Sequence, residues 1–222
     1  VGRIFGITEI GYASLSNTYG KKIMLVGVLS DTHIIPNGNR PELRDLPAVI
    51  LKVFEGVDLI LHCGDLDTTT EVLDTLETVA PVKAVRGYPD PREEGDRLAE
   101  SVRVVEIEGV RIGMIHDINW PGPRVDFVHA VYPPYLHRLE FPDKMDVEKL
   151  TTIKFGEPVD IVAFGDSHEE YIAWHQGVLF VNPGSATLPG IRHKRGEIGT
   201  VALLNIYDGV VVPQIINLVD FQ

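Results

Sequence analysis

Apolar positions fall in short runs along this chain, and most of the runs end in a polar cluster. Residues 23–29 form the first such run and lead into Ser30-Asp31-Thr32-His33, which predicts a strand delivering polar side chains at its C-terminal end. Leu46, Val49, Ile50, Val53 and Phe54 recur at helical spacing and predict a helix over residues 46–54. Residues 57–62 predict a second strand, running into Cys63-Gly64-Asp65. Thr68-Thr69-Thr70-Glu71 offers capping chemistry for a helix through Leu76. A third strand over residues 82–85 runs into Arg86-Gly87-Tyr88-Pro89-Asp90. Strands alternating with helices read as parallel βαβ units, and open α/β sheets bind ligands at the C-terminal edge of such strands.

The second half has a different rhythm. Residues 102–107 and 110–115 flank Glu108-Gly109, residues 171–174 and 178–181 flank Gln176-Gly177, and residues 200–206 and 210–216 flank Asp208-Gly209. Each is a hairpin signal, because a two-residue turn ending in Gly suits strand twist. Residues 160–164 predict one more strand, ending at Gly165-Asp166-Ser167-His168. A parallel first half and a hairpin-rich second half predict two packed sheets with outer helices, in one domain over residues 23–222. Residues 1–22 show no sustained period and are expected to be an N-terminal extension. Residues 118–145, rich in Trp, Tyr, Phe, His and Pro, fit neither pattern and are expected to be an insertion. Such a segment serves as a lid, a packed surface loop or an interface, including one for a homo-oligomer.

Charge and cysteine usage narrow the function classes. The formal net charge of −12 and the lack of a long Lys/Arg run disfavour nucleic acid as the main partner. One cysteine, Cys63, in an apolar strand end, suits a buried thiol and a reducing compartment. No apolar run approaches the roughly 20 residues that span a bilayer. A cytoplasmic protein without a membrane partner is the expectation.

The strand ends concentrate metal-ligand types. Asp31 and His33 lie two residues apart, Asp65 follows a glycine, His116 follows residues 110–115, and Asp166 and His168 repeat the two-residue spacing. Carboxylate and imidazole together suit Mn, Fe, Zn, Co or Ni, ions that turn water into hydroxide near neutral pH. His62, His129, His137 and His175 are expected to pack or lie on the surface. Arg192-His193-Lys194-Arg195 is a basic cluster, read either as a solvated loop or as a phosphate contact through Arg192 and His193.

Ser30-Asp31-Thr32-His33, His62-Cys63-Gly64-Asp65, Gly165-Asp166-Ser167-His168 and Asn182-Pro183-Gly184-Ser185, in that order, resemble the calcineurin-like metallophosphoesterases. The similarity is greatest to the small bacterial and archaeal phosphodiesterase branch, which also contains the retromer subunit Vps29. The resemblance implies a four-layer αββα sandwich of two mixed β-sheets flanked by helices. It also implies a site for two divalent metal ions, with Mn first among the candidates. Asp31, His33, Asp65 and His168 would hold one ion, and Asp65 and His116 would hold the second with Asp166. Two family positions are altered: Tyr88 stands where an asparagine ligand is usual, and Asp166 where a histidine is usual.

The function so implied is phosphoester hydrolysis, with a diester preferred over a monoester. A metal-activated hydroxide would attack phosphorus at a dinuclear site whose second position is remodelled. Asp31, His33, Asp65 and His116 would be catalytic, and the partner would be a small phosphoester. The alternative is a weakly active or inactive scaffold of the same fold, like Vps29.

Overall fold

The computed structural model describes residues 23–129 and 137–222. The expected extension over residues 1–22, and Tyr132 to Tyr135 of the expected insertion, lie outside them.

Thirteen strands are found among the described residues: β1 (Met24–Leu29), β2 (Leu59–His62), β3 (Val82–Val85), β4 (Leu98–Ala99), β5 (Val102–Ile107), β6 (Val110–Ile115), β7 (Asp126–His129), β8 (His137–Glu140), β9 (Ile161–Ala163), β10 (Glu170–His175), β11 (Val178–Pro183), β12 (Thr200–Tyr207) and β13 (Val210–Asn217). Three α-helices accompany them: α1 (Ala48–Val53), α2 (Glu71–Glu77) and α3 (Val147–Phe155). One sheet has the order β13-β12-β1-β2-β3-β4, the other β10-β11-β9-β6-β5. Both are mixed. β1, β2, β3 and β4 run parallel, and so do β11, β9 and β6. The hairpin partners β5–β6, β10–β11 and β12–β13 are antiparallel.

Three apolar clusters separate four layers. Ile50, Phe54, Leu73 and Leu76 bury α1 and α2 against Leu29, Ile60 and Ala84 of the first sheet. Val26, Val28 and Leu61 meet Ile112, Met114 and Leu179 between the two sheets. Val147 and Leu150 of α3 bury against Val162, Phe164 and Phe180 on the outer face of the second sheet. The αββα architecture is therefore present.

The three expected hairpins form at their expected turns. Glu108-Gly109, Gln176-Gly177 and Asp208-Gly209 all have both residues at positive φ, the backbone of a type I′ turn. Other boundaries move for local reasons. The first helix begins at Ala48, two residues later than expected, because Leu46 precedes Pro47 and the residue before proline is driven out of the α region. Helix α3 was not anticipated. It carries an Asp146 cap whose side chain accepts from Lys149 N at 2.6 Å, and Gly156 ends it in the left-handed conformation. Its buried positions are Val147, Leu150, Thr151 and Lys154, so two polar residues interrupt the apolar stripe and hide the period. The expected insertion also contains structure: β7 and β8 form a hairpin whose Val125, Phe127, Leu139 and Phe141 pack into the outer cluster. Among the described residues no helix is long and apolar enough to cross a membrane.

Candidate metal centre

The parallel strands end on one side, and their connections carry the ligand-type residues there. Asp31 and His33 follow β1, Asp65 follows β2, His116 follows β6, and Asp166 and His168 follow β9. The loops are tied together through backbone: Asp31 N donates to Gly64 O at 2.9 Å, His33 N to Asp65 O at 3.0 Å, and Gly165 N to His116 O at 2.9 Å. Asp31, His33, Asp65, Asp166 and His168 all adopt positive φ, between 46° and 67°. That region costs on the order of 1–3 kcal/mol for a residue with a side chain, and Asp and His are among the types that tolerate it best. Gly87 has no such freedom to exploit. It is needed because a Cβ there would stand 1.8 Å from Asp65 Oδ1.

Six side chains converge. Ligand atoms of Asp31, His33 and His168 lie within 4.8 Å of one another, as do those of Asp31, Asp65 and His116. Asp65 faces both groupings: its Oδ2 is 3.7 Å from His33 Nε2 and its Oδ1 is 3.1 Å from His116 Nε2. His168 Nε2 is 3.4 Å from Asp31 Oδ1. Asp166 stands at the margin, exposed, with Oδ1 3.8 Å from His116 Nε2.

The imidazoles are oriented by groups behind them. His116 Nδ1 donates to Cys63 O at 2.8 Å, and His168 Nδ1 donates to Leu188 O at 2.7 Å. Both therefore turn Nε2 toward the cluster. His33 Nδ1 is 3.5 Å from Asp67 Oδ2, while its Nε2 sits 3.2 Å from His168 Nε2. Two imidazole nitrogens that close need a proton or a cation between them.

The donor set fits a divalent metal. Both carboxylate oxygens of fully buried Asp31 lack a hydrogen-bond partner. A buried carboxylate in that condition is costly unless a cation satisfies it. Burial pushes the Asp31 carboxyl above the usual carboxylate range, although the charges of His116 and His168 oppose the rise. Burial also pushes Asp65 up, but the hydrogen bond and charge of His116, with His33 behind them, bring it net below its usual range. His116 is desolvated, yet its hydrogen bond to Asp65 and the charges of Asp31 and Asp65 raise it to about 9.

The altered positions resolve differently. The Tyr88 hydroxyl donates to Asp117 Oδ2 at 2.6 Å, and that bond raises the phenol to about 12. The ring points outward and is 69% exposed. Its backbone still serves the centre, since Tyr88 N donates to Asp65 Oδ1 at 3.1 Å. Asp90 is buried and accepts from Asp67 N and Gly87 N at 3.0 and 2.8 Å, so its carboxylate fixes loops. Asn182 Nδ2 donates to Gly165 O at 2.9 Å, and Ser185 Oγ donates to Asp31 O at 2.7 Å. The Asn-Pro-Gly-Ser turn thus clamps two ligand loops.

Arg192 and His193 are both engaged by Glu170, each at 3.4 Å. His62 packs as expected: Gly64 N donates to its Nδ1 and its Nε2 donates to Thr32 Oγ1, while burial and the neighbouring His116 hold it down at about 3. Burial raises the Cys63 thiol far above its usual range. His175 is bonded to Tyr171 OH through Nε2 at 2.7 Å. His137 takes the packing role of the two expected for it, its side chain buried 3.6 Å from Glu169 Oε2. The orienting groups Leu188 O and Cys63 O were missed, because a backbone carbonyl leaves no signature in sequence, and Asp67 was missed because it lies outside the ligand-type motifs at the strand ends.

The family model of the calcineurin-like phosphoesterase superfamily domain matches residues 24–209. A probable metallophosphoesterase of Methanothermobacter thermautotrophicus is 34% identical over 166 residues, covering 75% of this chain and 79% of that one. One of Methanocaldococcus jannaschii is 34% identical over 170 residues, covering 75% and 70%. Among solved structures, a Vps29 single mutant from Entamoeba histolytica superimposes with a TM-score of 0.57 at 24% identity, covering 87% of this chain and 99% of that one. A novel archaeal phosphodiesterase superimposes with a TM-score of 0.54 at 19% identity, covering 87% and 100%. At those identities the superpositions speak to the fold.

Proposed function

The chain belongs to the calcineurin-like phosphoesterase superfamily, and from that membership we propose that it is a metal-dependent phosphodiesterase. The observation that carries the reading is the buried Asp31 carboxylate, without a hydrogen-bond partner, amid His33, His168, Asp65 and His116. Asp31, His33, Asp65 and His168 would hold one ion; Asp65 and His116, with Asp166 beside them, would hold a second. Bound there, the ions supply an activated water and charge stabilisation for the phosphoryl oxygens. The protein's share is orientation. Cys63 O and Leu188 O fix which nitrogen His116 and His168 present, and Asp67 steadies His33. His116 Nε2 and Asp65 Oδ1 face each other at 3.1 Å, so an ion held by both would take the place of any proton shared between them. Arg192 and His193 would reach a substrate phosphate only by leaving Glu170.

The test is metal content per chain on protein purified without chelator, beside hydrolysis of bis-p-nitrophenyl phosphate after Mn²⁺ addition. Bound metal with Mn-stimulated turnover is expected. Absence of turnover with every divalent ion tried would favour the second reading, a scaffold of the same fold. The outward turn of Tyr88, at a position where the family uses a ligand, favours that reading.

A further inference from the structure

A recess of about 130 Å³ opens beside the metal centre, and His116 borders both. Its other walls include Arg86, Tyr88, Glu100, Ser101, Asp117 and Trp120. Tyr88 and Trp120 are 69% and 68% exposed, the highest values among the exposed large hydrophobic side chains described. Two broad aromatic surfaces at one opening are a stacking platform that water covers poorly.

One residue holds the Tyr88 ring and the backbone that carries Trp120. Asp117 accepts the Tyr88 hydroxyl through Oδ2 at 2.6 Å, the Asn119 amide through Oδ1 at 2.8 Å and the Trp120 amide through its carbonyl at 3.0 Å. Buried Lys154 anchors the next residue, donating to Pro121 O at 2.8 Å. The Tyr88 ring meets His116 edge-on, with centroids 6.0 Å apart. The Tyr88 ring, fixed in this way, loses little freedom when a ligand stacks on it.

The recess is a poor seat for phosphate. Arg86 gives Nε and Nη2 to Asp90 O and Nη1 to Glu100, so its donors are already engaged. Glu100 and Asp117 add carboxylates that repel an anion and accept hydrogen bonds. The occupant should offer π faces and N–H donors, and it should carry no negative charge of its own. We propose that the recess between Tyr88 and Trp120 seats a planar, nitrogen-bearing aromatic ring attached to the phosphoester, a nucleobase being the case that satisfies every wall. The phosphate half of this ligand rests on the phosphoesterase reading; the ring half rests on the recess and can be measured without turnover.

The test uses Trp174→Phe protein, in which Trp120 is the one remaining indole. Its fluorescence is followed during titration with adenosine 5′-monophosphate, phenyl phosphate, ribose 5-phosphate and phosphocholine. Adenosine 5′-monophosphate is expected to bind about five- to a hundredfold more tightly than ribose 5-phosphate, the range for stacking one base on aromatic side chains. Phenyl phosphate equal to the nucleotide would overturn the nitrogen-bearing ring and leave a simple aryl group. Tyr88→Ala should erase the selectivity, whereas Tyr88→Phe, which keeps the ring, should retain it. Equal binding of nucleotide and sugar phosphate, selectivity unmoved by Tyr88→Ala in a folded protein, or tightest binding of phosphocholine would each overturn the proposal. Ring selectivity without hydrolysis of any ester would sink the phosphodiesterase reading alone. Hydrolysis of p-nitrophenyl methyl phosphate without ring selectivity would sink this inference alone.

Discussion

Asp65 turns its two carboxylate oxygens in different directions, Oδ1 to His116 Nε2 at 3.1 Å and Oδ2 to His33 Nε2 at 3.7 Å. Asp31 supplies a ligand atom to both groupings among the described residues, and Asp65 joins them by facing a histidine of each. Asp65→Asn keeps the volume and removes the charge, and should deplete bound metal at both positions. Changes in residues that only orient a metal ligand cost about 10–100-fold, so loss of this ligand should lower hydrolysis by at least about 100-fold. Full activity with full metal content in Asp65→Asn, read by elemental analysis and ester turnover, would refute the bridging role.

Ser185 reaches the centre from behind. Its hydroxyl donates to Asp31 O at 2.7 Å and accepts from Leu188 N at 2.8 Å, joining the Asp31 loop to the loop whose carbonyl orients His168. Ser185→Ala should cost about 1 kcal/mol in urea unfolding, since it leaves the Asp31 carbonyl with only the longer bond from Thr187 Oγ1 at 3.4 Å and unpairs the half-buried Leu188 amide. Metal affinity should weaken too, by about 10–100-fold. Unchanged metal affinity in a destabilised variant would confine Ser185 to folding.

Tyr88 offers a gain rather than a loss. Its phenol is bound to Asp117 and held at about 12, so it brings no anionic oxygen to the centre at neutral pH. Tyr88→Asn supplies a neutral carbonyl oxygen and frees Asp117. Metal per chain and Mn-stimulated turnover of p-nitrophenyl methyl phosphate should both rise. A stoichiometry identical to the parent's, across a titration with Mn²⁺, would show that residue 88 does not limit the second position.

His62 gives stability a pH dependence. Its folded value of about 3 lies below the ordinary value of 6.5, because burial and the charge of His116 penalise its protonated form. The unfolded chain therefore binds a proton that the folded chain refuses between those values, and stability falls as pH drops from about 6.5 toward 3. His62→Gln, which removes the titration, should flatten the dependence of Tm on pH between about 4.5 and 6.5, above the range of ordinary carboxylates. Parallel curves for parent and variant in that window would show that His62 does not carry the effect.

The elements with strong local signals were legible in advance. Residues 82–85, 102–107 and 110–115 form the expected strands, and the Glu-Gly, Gln-Gly and Asp-Gly turns close their hairpins, because positive φ is a local demand met by local residues. Asp31, His33, Asp65, His116, Asp166 and His168 were legible as strand-end residues of ligand type. Helix α3 was not, since Lys154 and Thr151 occupy its buried face and their burial depends on Pro121 O and on the helix's own carbonyls. The β7–β8 hairpin was hidden for a similar reason: its Phe127 and Leu139 read as parts of an irregular aromatic segment until the second sheet gives them a surface to cover.

The sequence by itself determined which chemistry could be assembled: carboxylates and imidazoles at the ends of parallel strands, with glycines placed where backbone must come close. Only the tertiary structure decided how each residue is used. Asp31 came to rest fully buried, Asp166 on the margin, Tyr88 turned outward onto Asp117, and Asp90 spent on the amides of Asp67 and Gly87. The reason is that ligand type is a property of one side chain. Orientation depends on partners far away in the chain, such as the Leu188 carbonyl behind His168 and the Cys63 carbonyl behind His116, and those meet only when the two sheets pack.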